Sequence, residues 1–244
     1  MPEFEKIFTE FGLELPAATL FLVTVSNWVV NYWYMIPGIP ISIWLFIKLI
    51  RKFKHGRIGW DQYIIKAPIV GQLVEKNILA RTSRTLGTLV SSGVPILEAL
   101  QITRDTSGNA IFERMYAKIS EAIREGDAIA KPMKENAVPG FHPVAFFFWF
   151  TPLPVIGGLL YLLKMKQPSV DDIVVNMVDV GEETGELDTM LYKVADVYDE
   201  QVAVLTDGLT KLIEPLLVIF LGGAVGFIVI ALFIPLVSLI ENLS

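Results

Sequence analysis

Met177-Val-Asp-Val-Gly-Glu-Glu-Thr-Gly-Glu-Leu-Asp188 leads into Leu187, Met190, Leu191, Val194, Tyr198, Val202, Leu205, Leu209 and Leu212, spaced mostly by three and four. That spacing gathers apolar side chains on one face of an α-helix. The pattern passes without a break into Pro215–Ile240, which carries no charge. This run has roughly 26 residues, and about 20 suffice for a helix to cross a bilayer core of about 30 Å. The stretch predicts one long helix, amphipathic and in water at its start, membrane-spanning at its end. Gly181 and Gly185 bracket the start. Glu182, Glu183, Glu186 and Asp188 are expected near its N-terminus, where the helix dipole favours negative charge.

The rest of the composition agrees with a membrane protein that carries one water-exposed domain. Hydrophobic residues make up 53% of the 244, and mean hydropathy is +0.53, high for a soluble chain. A net charge of −6 argues against nucleic acid as a partner. The absence of cysteine excludes disulfides, thiolate catalysis and cysteine metal sites. His55 and His142, the two histidines, are far apart in sequence, so a His-rich metal site is excluded. Met1–Lys6 lacks a basic n-region, so no cleavable signal peptide is expected.

Residues 1–32 read as an extracytoplasmic or interfacial connector. Glu3, Glu5, Glu10 and Glu14 outweigh Lys6 there, and Thr19–Asn31 suits a helix lying at the interface with Thr24, Ser26, Asn27 and Asn31 on its wetter side. Residues 33–50 read as a transmembrane helix, with Trp28, Tyr32, Trp33 and Tyr34 as an aromatic belt at its entrance. Pro37 and Pro40 interrupt the uncharged run Ala17–Ile47, and a single tilted or kinked helix is the alternative. Arg51, Lys52, Lys54 and Arg57 follow at once, which marks this end as cytoplasmic.

Residues 51–137 read as the first part of a cytoplasmic helical bundle. Asp61 is expected to cap a short helix, and Pro68–Gly71 to turn. Leu73, Val74, Ile78, Leu79, Leu86, Leu89 and Val90 form an apolar stripe that stops at Gly93, a residue suited to the position just past a helix end. Pro95 fits the first turn of the next helix, whose inner face is Ile96, Leu97 and Leu100. Gly108-Asn109 is expected to end that helix and cap another, carrying Ile111, Phe112, Met115, Ile119 and Ile123 and ending at Gly126. No alternating strand pattern of convincing length appears, so the expected fold class is all-α. Residues 138–167 form an apolar insert centred on Phe146–Phe150, with Pro152 and Pro154 inside. A re-entrant or interfacial hairpin is the preferred expectation there, and an extra span the alternative. Residues 168–212 supply the last two bundle helices, with Ile173, Val174, Met177, Val178 and Val180 expected to face inward. Residues 213–240 form the final transmembrane helix.

Three blocks carry a resemblance: Gly181-Glu-Glu-Thr-Gly-Glu-Leu-Asp188, Glu214-Pro-Leu-Leu-Val-Ile-Phe-Leu-Gly-Gly-Ala-Val-Gly226, and Arg81-Thr-Ser-Arg-Thr-Leu-Gly-Thr-Leu-Val-Ser-Ser-Gly-Val-Pro-Ile-Leu-Glu-Ala-Leu100. They resemble the type II secretion system F family of GspF/PilC-type inner-membrane platform proteins. The family pattern is two copies of a helical domain, each followed by a span, and this chain is similar to the C-terminal half. Residues 138–167 depart from that pattern. The resemblance implies a multi-pass protein of the bacterial inner membrane in a type II secretion or type IV pilus assembly machine. It implies coupling of a cytoplasmic secretion or pilus ATPase to assembly of pilin-like or pseudopilin subunits and to protein secretion. Other inner-membrane assembly components are implied partners, and the chain is expected to self-associate as a homo-oligomer.

The residues do not suggest catalysis. Glu182, Glu183, Glu186 and Asp188 have neither the spacing nor the central glycine of a calcium loop, and helix capping in a solvated turn is the simpler reading. No Gly-x-x-x-x-Gly-Lys-[Ser/Thr] stretch is present, so ATP hydrolysis is left to a partner. No cofactor and no metal are expected. Arg81, Arg84, Glu182, Glu183 and Glu186 are the candidates for partner docking or bundle integrity. Gly222-x-x-x-Gly226 permits close helix packing. The basic first half of the bundle, with Arg81, Arg84, Arg104, Arg114, Lys118 and Arg124, faces an acidic second half from Asp171 to Asp207. Internal complementarity and partner docking both remain open from this pattern. A small membrane transporter is the alternative function, disfavoured by few spans and no mid-span charge.

Overall fold

A computed structural model describes residues 16–67, 70–136 and 169–243. Among them every regular element is helical: α1 Ala17–Asn31, α2 Met35–Lys52, α3 Lys54–Lys66, α4 Val70–Ser91, α5 Ile96–Thr106, α6 Ala110–Glu125, α7 Ala130–Glu135, α8 Asp172–Thr184 and α9 Leu187–Leu243. The all-α expectation holds, and the long helix after Gly185 is present as α9. The acidic start, the turn at Pro68 and the apolar insert 138–167 lie outside the described residues. The chain divides into two units, Ile47–Asp207, and Met1–Phe46 together with Gly208–Ser244.

The Ile47–Asp207 unit is a helical bundle with one core. Leu79, Leu86, Leu100, Phe112, Tyr116 and Ile119 pack with Val178, Leu191, Val194 and Tyr198. Stretches on either side of residues 137–168 therefore share the same buried cluster. Helix ends follow from local chemistry. At Gly93 (φ +80°) the amide of Gly93 donates to the Val90 carbonyl at 2.9 Å, and that of Val94 to the Leu89 carbonyl at 3.0 Å. These two bonds satisfy carbonyls that a helix end otherwise orphans, and the left-handed residue they need is cheapest as glycine. Asn109 caps α6 by accepting from the Ile111 amide at 2.9 Å.

Three expectations are corrected here. Asp61 does cap a helix, but a distant one: it lies inside α3 and accepts from the Ala110 amide of α6 at 2.9 Å. Gly71 is part of α4 rather than a turn. Ile173 and Val180 point outward, at 67% and 47% exposure. The buried face of α8 is Val174, Val175, Val178 and Gly181. The apolar residues of this 13-residue helix spread widely around it, opposite a polar stripe of Asp172, Asn176, Asp179 and Glu183, so packing chooses which of them face inward.

In the other unit, α1 and α2 are bent by 63° at Tyr32–Tyr34. The Leu187–Pro235 stretch of α9 is long and apolar enough to cross a membrane by itself, whereas α1 and α2 pass that test only as a pair. Ile41, Trp44 and Leu45 on α2 and Leu216, Ile219 and Phe220 on α9 are exposed, as suits a surface solvated by lipid. Phe21 of α1 meets Phe227 of α9 edge-on, with ring centroids 5.7 Å apart. Two residues earlier, Thr19 donates to the Ala231 carbonyl at 2.7 Å, so the two helices run in opposite directions where they touch.

Candidate functional site

Arg81, Arg84, Glu182, Glu183 and Glu186 all lie in the bundle unit. Helix α4 holds Arg81 and Arg84 one turn apart and sends them to different joints. The Arg84 guanidinium reaches Asp196 of α9 at 3.0 Å and also donates to Asp199. That pair realises the basic-to-acidic complementarity between the two halves. Arg81 donates to the carbonyl of Ser107 at 2.6 Å, where α5 ends. Gly87, one turn beyond Arg84, lets α4 approach α9: an added Cβ would stand 3.3 Å from the Leu191 Cβ.

The glutamates divide likewise. Glu182 accepts from the backbone amide of Ile129 at 2.7 Å, at the residue that precedes α7. A glutamate reaching back to an N-cap amide is half of a capping box, and here it comes from another helix. Glu183 and Glu186 are exposed. The four carboxylates do not all stand at the start of α9 as expected. Glu186 and Asp188 do stand at the start of α9, but Glu182 and Glu183 occupy the last turn of α8, where the dipole opposes negative charge. For Glu182 the Ile129 amide offsets that.

A second set of polar groups was not anticipated. Lys66 of α3 is buried and donates to Ser169 Oγ at 3.5 Å. Tyr198 of α9 donates to Asp171 at 3.2 Å, and Lys76 of α4 sits 5.5 Å from the centre of the Tyr198 ring. Lys76 also donates to Gln201. Glu75 lies among them with Oε1 buried and without a hydrogen-bond partner. Burial pushes the Glu75 carboxyl above the ordinary glutamate range, against the pull of Lys66 and Ser169. Burial, with Asp171 adding to it, likewise raises the Tyr198 phenol. No spacing in the sequence announces this strip, because its members come from three helices and the segment before α8. Among the described residues no cluster of three or more His, Asp or Glu is placed to hold a metal.

Gly222 and Gly226 belong to the other unit. An added Cβ at Gly222, Gly223 or Gly226 would meet nothing within 4 Å among the described residues. This strip of α9 is thus a flat surface that no described helix of the chain covers.

The bundle and span together can be set beside known proteins. The family model for protein F of the type II secretion system matches residues 82–235, which runs from α4 through most of α9. The chain belongs to the type II secretion system F family. The type IV pilus assembly protein PilC of Myxococcus xanthus is 36% identical over 98% of the chain and 50% of its own length. PilC of Thermus thermophilus is 36% identical over 100% of the chain and 53% of its own length. The type II secretion system protein F of Pseudomonas aeruginosa is 27% identical over 98% and 51%. The chain spans about half the length of the curated relatives it matches.

Proposed function

We propose that the chain is an inner-membrane, multi-pass platform component of a type IV pilus or type II secretion machine. In this reading it couples a cytoplasmic ATPase to the assembly of pilin-like subunits. Family membership and the relatives' names support the machine. The observation that carries the coupling is α9. Its first turns supply Leu191, Val194 and Tyr198 to the bundle core, and the same helix continues into Leu216, Ile219 and Phe220, which none of the described residues buries. Work done on the bundle therefore has a continuous helix along which to reach the membrane. Arg81, Arg84 and Glu182 hold bundle joints, and the exposed Glu183 and Glu186 are left to meet the ATPase. Gly222 and Gly226 offer a close-packing face to a neighbouring span, of a second copy or of another membrane component. No catalysis is assigned to the chain.

The test is removal of the chain from its host and restoration by a copy. Pilin-like subunits should remain in the inner membrane, with filaments or secretion lost and then restored. Normal filaments and secretion without the chain would overturn the proposal.

A further inference from the structure

The Thr19–Ala231 bond begins with a defect written into α9. In an α-helix each carbonyl accepts from the amide four residues on. Four residues after Ala231 stands Pro235, inside the helix, and proline has no amide hydrogen. The Ala231 carbonyl is therefore orphaned by its own helix. Within the hydrocarbon of a bilayer no water is at hand to satisfy it.

Helix α1 supplies the missing donor. Thr19 Oγ1 donates to the Ala231 oxygen at 2.7 Å, and both residues are fully buried. Thr19 is free to do this because of where it stands. A helical threonine usually donates to a carbonyl three or four residues back, as Thr24 does to Leu20 at 2.8 Å. Thr19 is the third residue of α1, after Pro16 at the N-cap. Four residues back lies ahead of the helix, and the Pro16 carbonyl three back already accepts from the Leu20 amide at 2.9 Å. Ala231 has no bulk to hold the helices apart. Val23, one turn on from Thr19, is also buried, and Phe21 against Phe227 extends the contact.

We infer that Thr19 stands in for the amide that Pro235 lacks, so that α1 latches to α9 one turn before its proline. The position of α1 and the path of α9 around Pro235 then form one element. When α1 leaves, the Ala231 carbonyl loses its donor, and the end of α9 must find another geometry. This inference goes beyond the platform reading and does not depend on it.

The cysteine-free chain allows a direct test on the full protein in membranes. Phe21→Cys and Phe227→Cys are joined by a short bifunctional thiol reagent, and the rate of cross-linking is read. Thr19→Val, which keeps the shape and removes the donor, should slow cross-linking by about five-fold or more, the scale of one coupled contact. Thr19→Ser should leave it near the parent rate. With Pro235→Ala the amide returns, and Thr19→Val should then change the rate by less than about two-fold. Should Thr19→Val fail to accumulate in the membrane, recovery by Pro235→Ala reports the same coupling. The inference is overturned if Thr19→Val leaves the rate unchanged with proline in place. It is equally overturned if the loss, of rate or of accumulation, is the same with proline and with alanine.

Discussion

Arg84 reaches from α4 to Asp196 and Asp199 of α9, and all three side chains remain largely in water. Exposed ion pairs contribute about 0.2–1 kcal/mol, so Arg84→Ala is expected to cost the bundle less than about 1 kcal/mol. Arg81 is placed differently. Its half-buried bond to the Ser107 carbonyl is charge-assisted, and Arg81→Ala should cost about 1.5–3 kcal/mol. Urea unfolding of the full chain in detergent measures both. The contrast separates the two roles proposed for these arginines. If Arg84→Ala abolishes filament assembly or secretion while unfolding is almost unchanged, Arg84 meets a partner. If assembly falls only as stability falls, it is a bundle joint. Glu75 gives a prediction in pH. Burial is the chief cause that holds its carboxyl above the ordinary glutamate range. A raised carboxyl takes up its proton in the folded bundle before the unfolded chain does. Its stabilising contribution is therefore complete below about pH 4.5 and lost as pH rises through the folded value. Glu75→Gln cannot titrate, so its stability relative to the parent should climb as pH rises from the ordinary glutamate range toward neutrality. A difference between the two unfolding midpoints that stays flat, or falls, over that range would show that Glu75 is not held protonated by burial.

Helices α8 and α9 form a hairpin whose tightness rests on two glycines with different duties. A Cβ at Gly181 would stand 3.0 Å from the Leu187 Cα and from the Met190 Cβ, so Gly181→Ala must push the helices apart. Overpacking of this kind costs about 1–3 kcal/mol. Gly185 turns the chain at φ +77°, and alanine there pays about 1–2 kcal/mol in left-handed strain. Glu183→Ala, on the same turn but exposed, should stay within about 0.5 kcal/mol. If Gly181→Ala proves as silent as Glu183→Ala, the close approach of α8 and α9 is not a packing constraint. The ends of this hairpin and of its neighbours are legible in the sequence because they depend on one residue each. Gly93, Gly126 and Gly185 mark stops through their own backbone, and Asn109 marks a start through its own side chain. What depends on two distant residues is not legible. Asp61 has the composition of a local cap, yet its amide partner is Ala110. Glu182 has the composition of a helix start, yet it ends α8 and serves Ile129. Ile173 and Val180 are as apolar as Val174 and Val178, and only the packed neighbours tell the two pairs apart. The Thr19 bond is invisible for the same reason: its donor and the proline that creates the need stand at opposite ends of the chain.

The whole molecule is constrained by its shared core. Leu86, Leu100 and Phe112 come from before residues 137–168, and Val178, Leu191 and Tyr198 from after them, yet they form one buried cluster. A bilayer cannot pass through a packed core, so residues 70–136 and 170–207 should face one compartment. By the positive-inside rule, Arg51 and Lys52 at the end of α2 predict that this compartment is the cytoplasm. Asp61 and Glu113 lie near Arg51 and Arg57, but acidic residues weigh little in that rule. Single cysteines read the arrangement with a membrane-impermeant thiol reagent on intact cells. Thr106 and Thr189 are exposed, one in each half of the bundle, and Ala17 is exposed at the start of α1. Ser107 and Ser169 are buried and would stay silent on either side. The expected pattern is labelling at Ala17 alone, with Thr106 and Thr189 reacting only once the membrane is opened. Labelling of Thr189 but not Thr106 in intact cells would divide the bundle between compartments, which the shared core forbids. Labelling of both would keep the core but place it outside, beyond the reach of a cytoplasmic ATPase, and the platform proposal would fall while the fold stood.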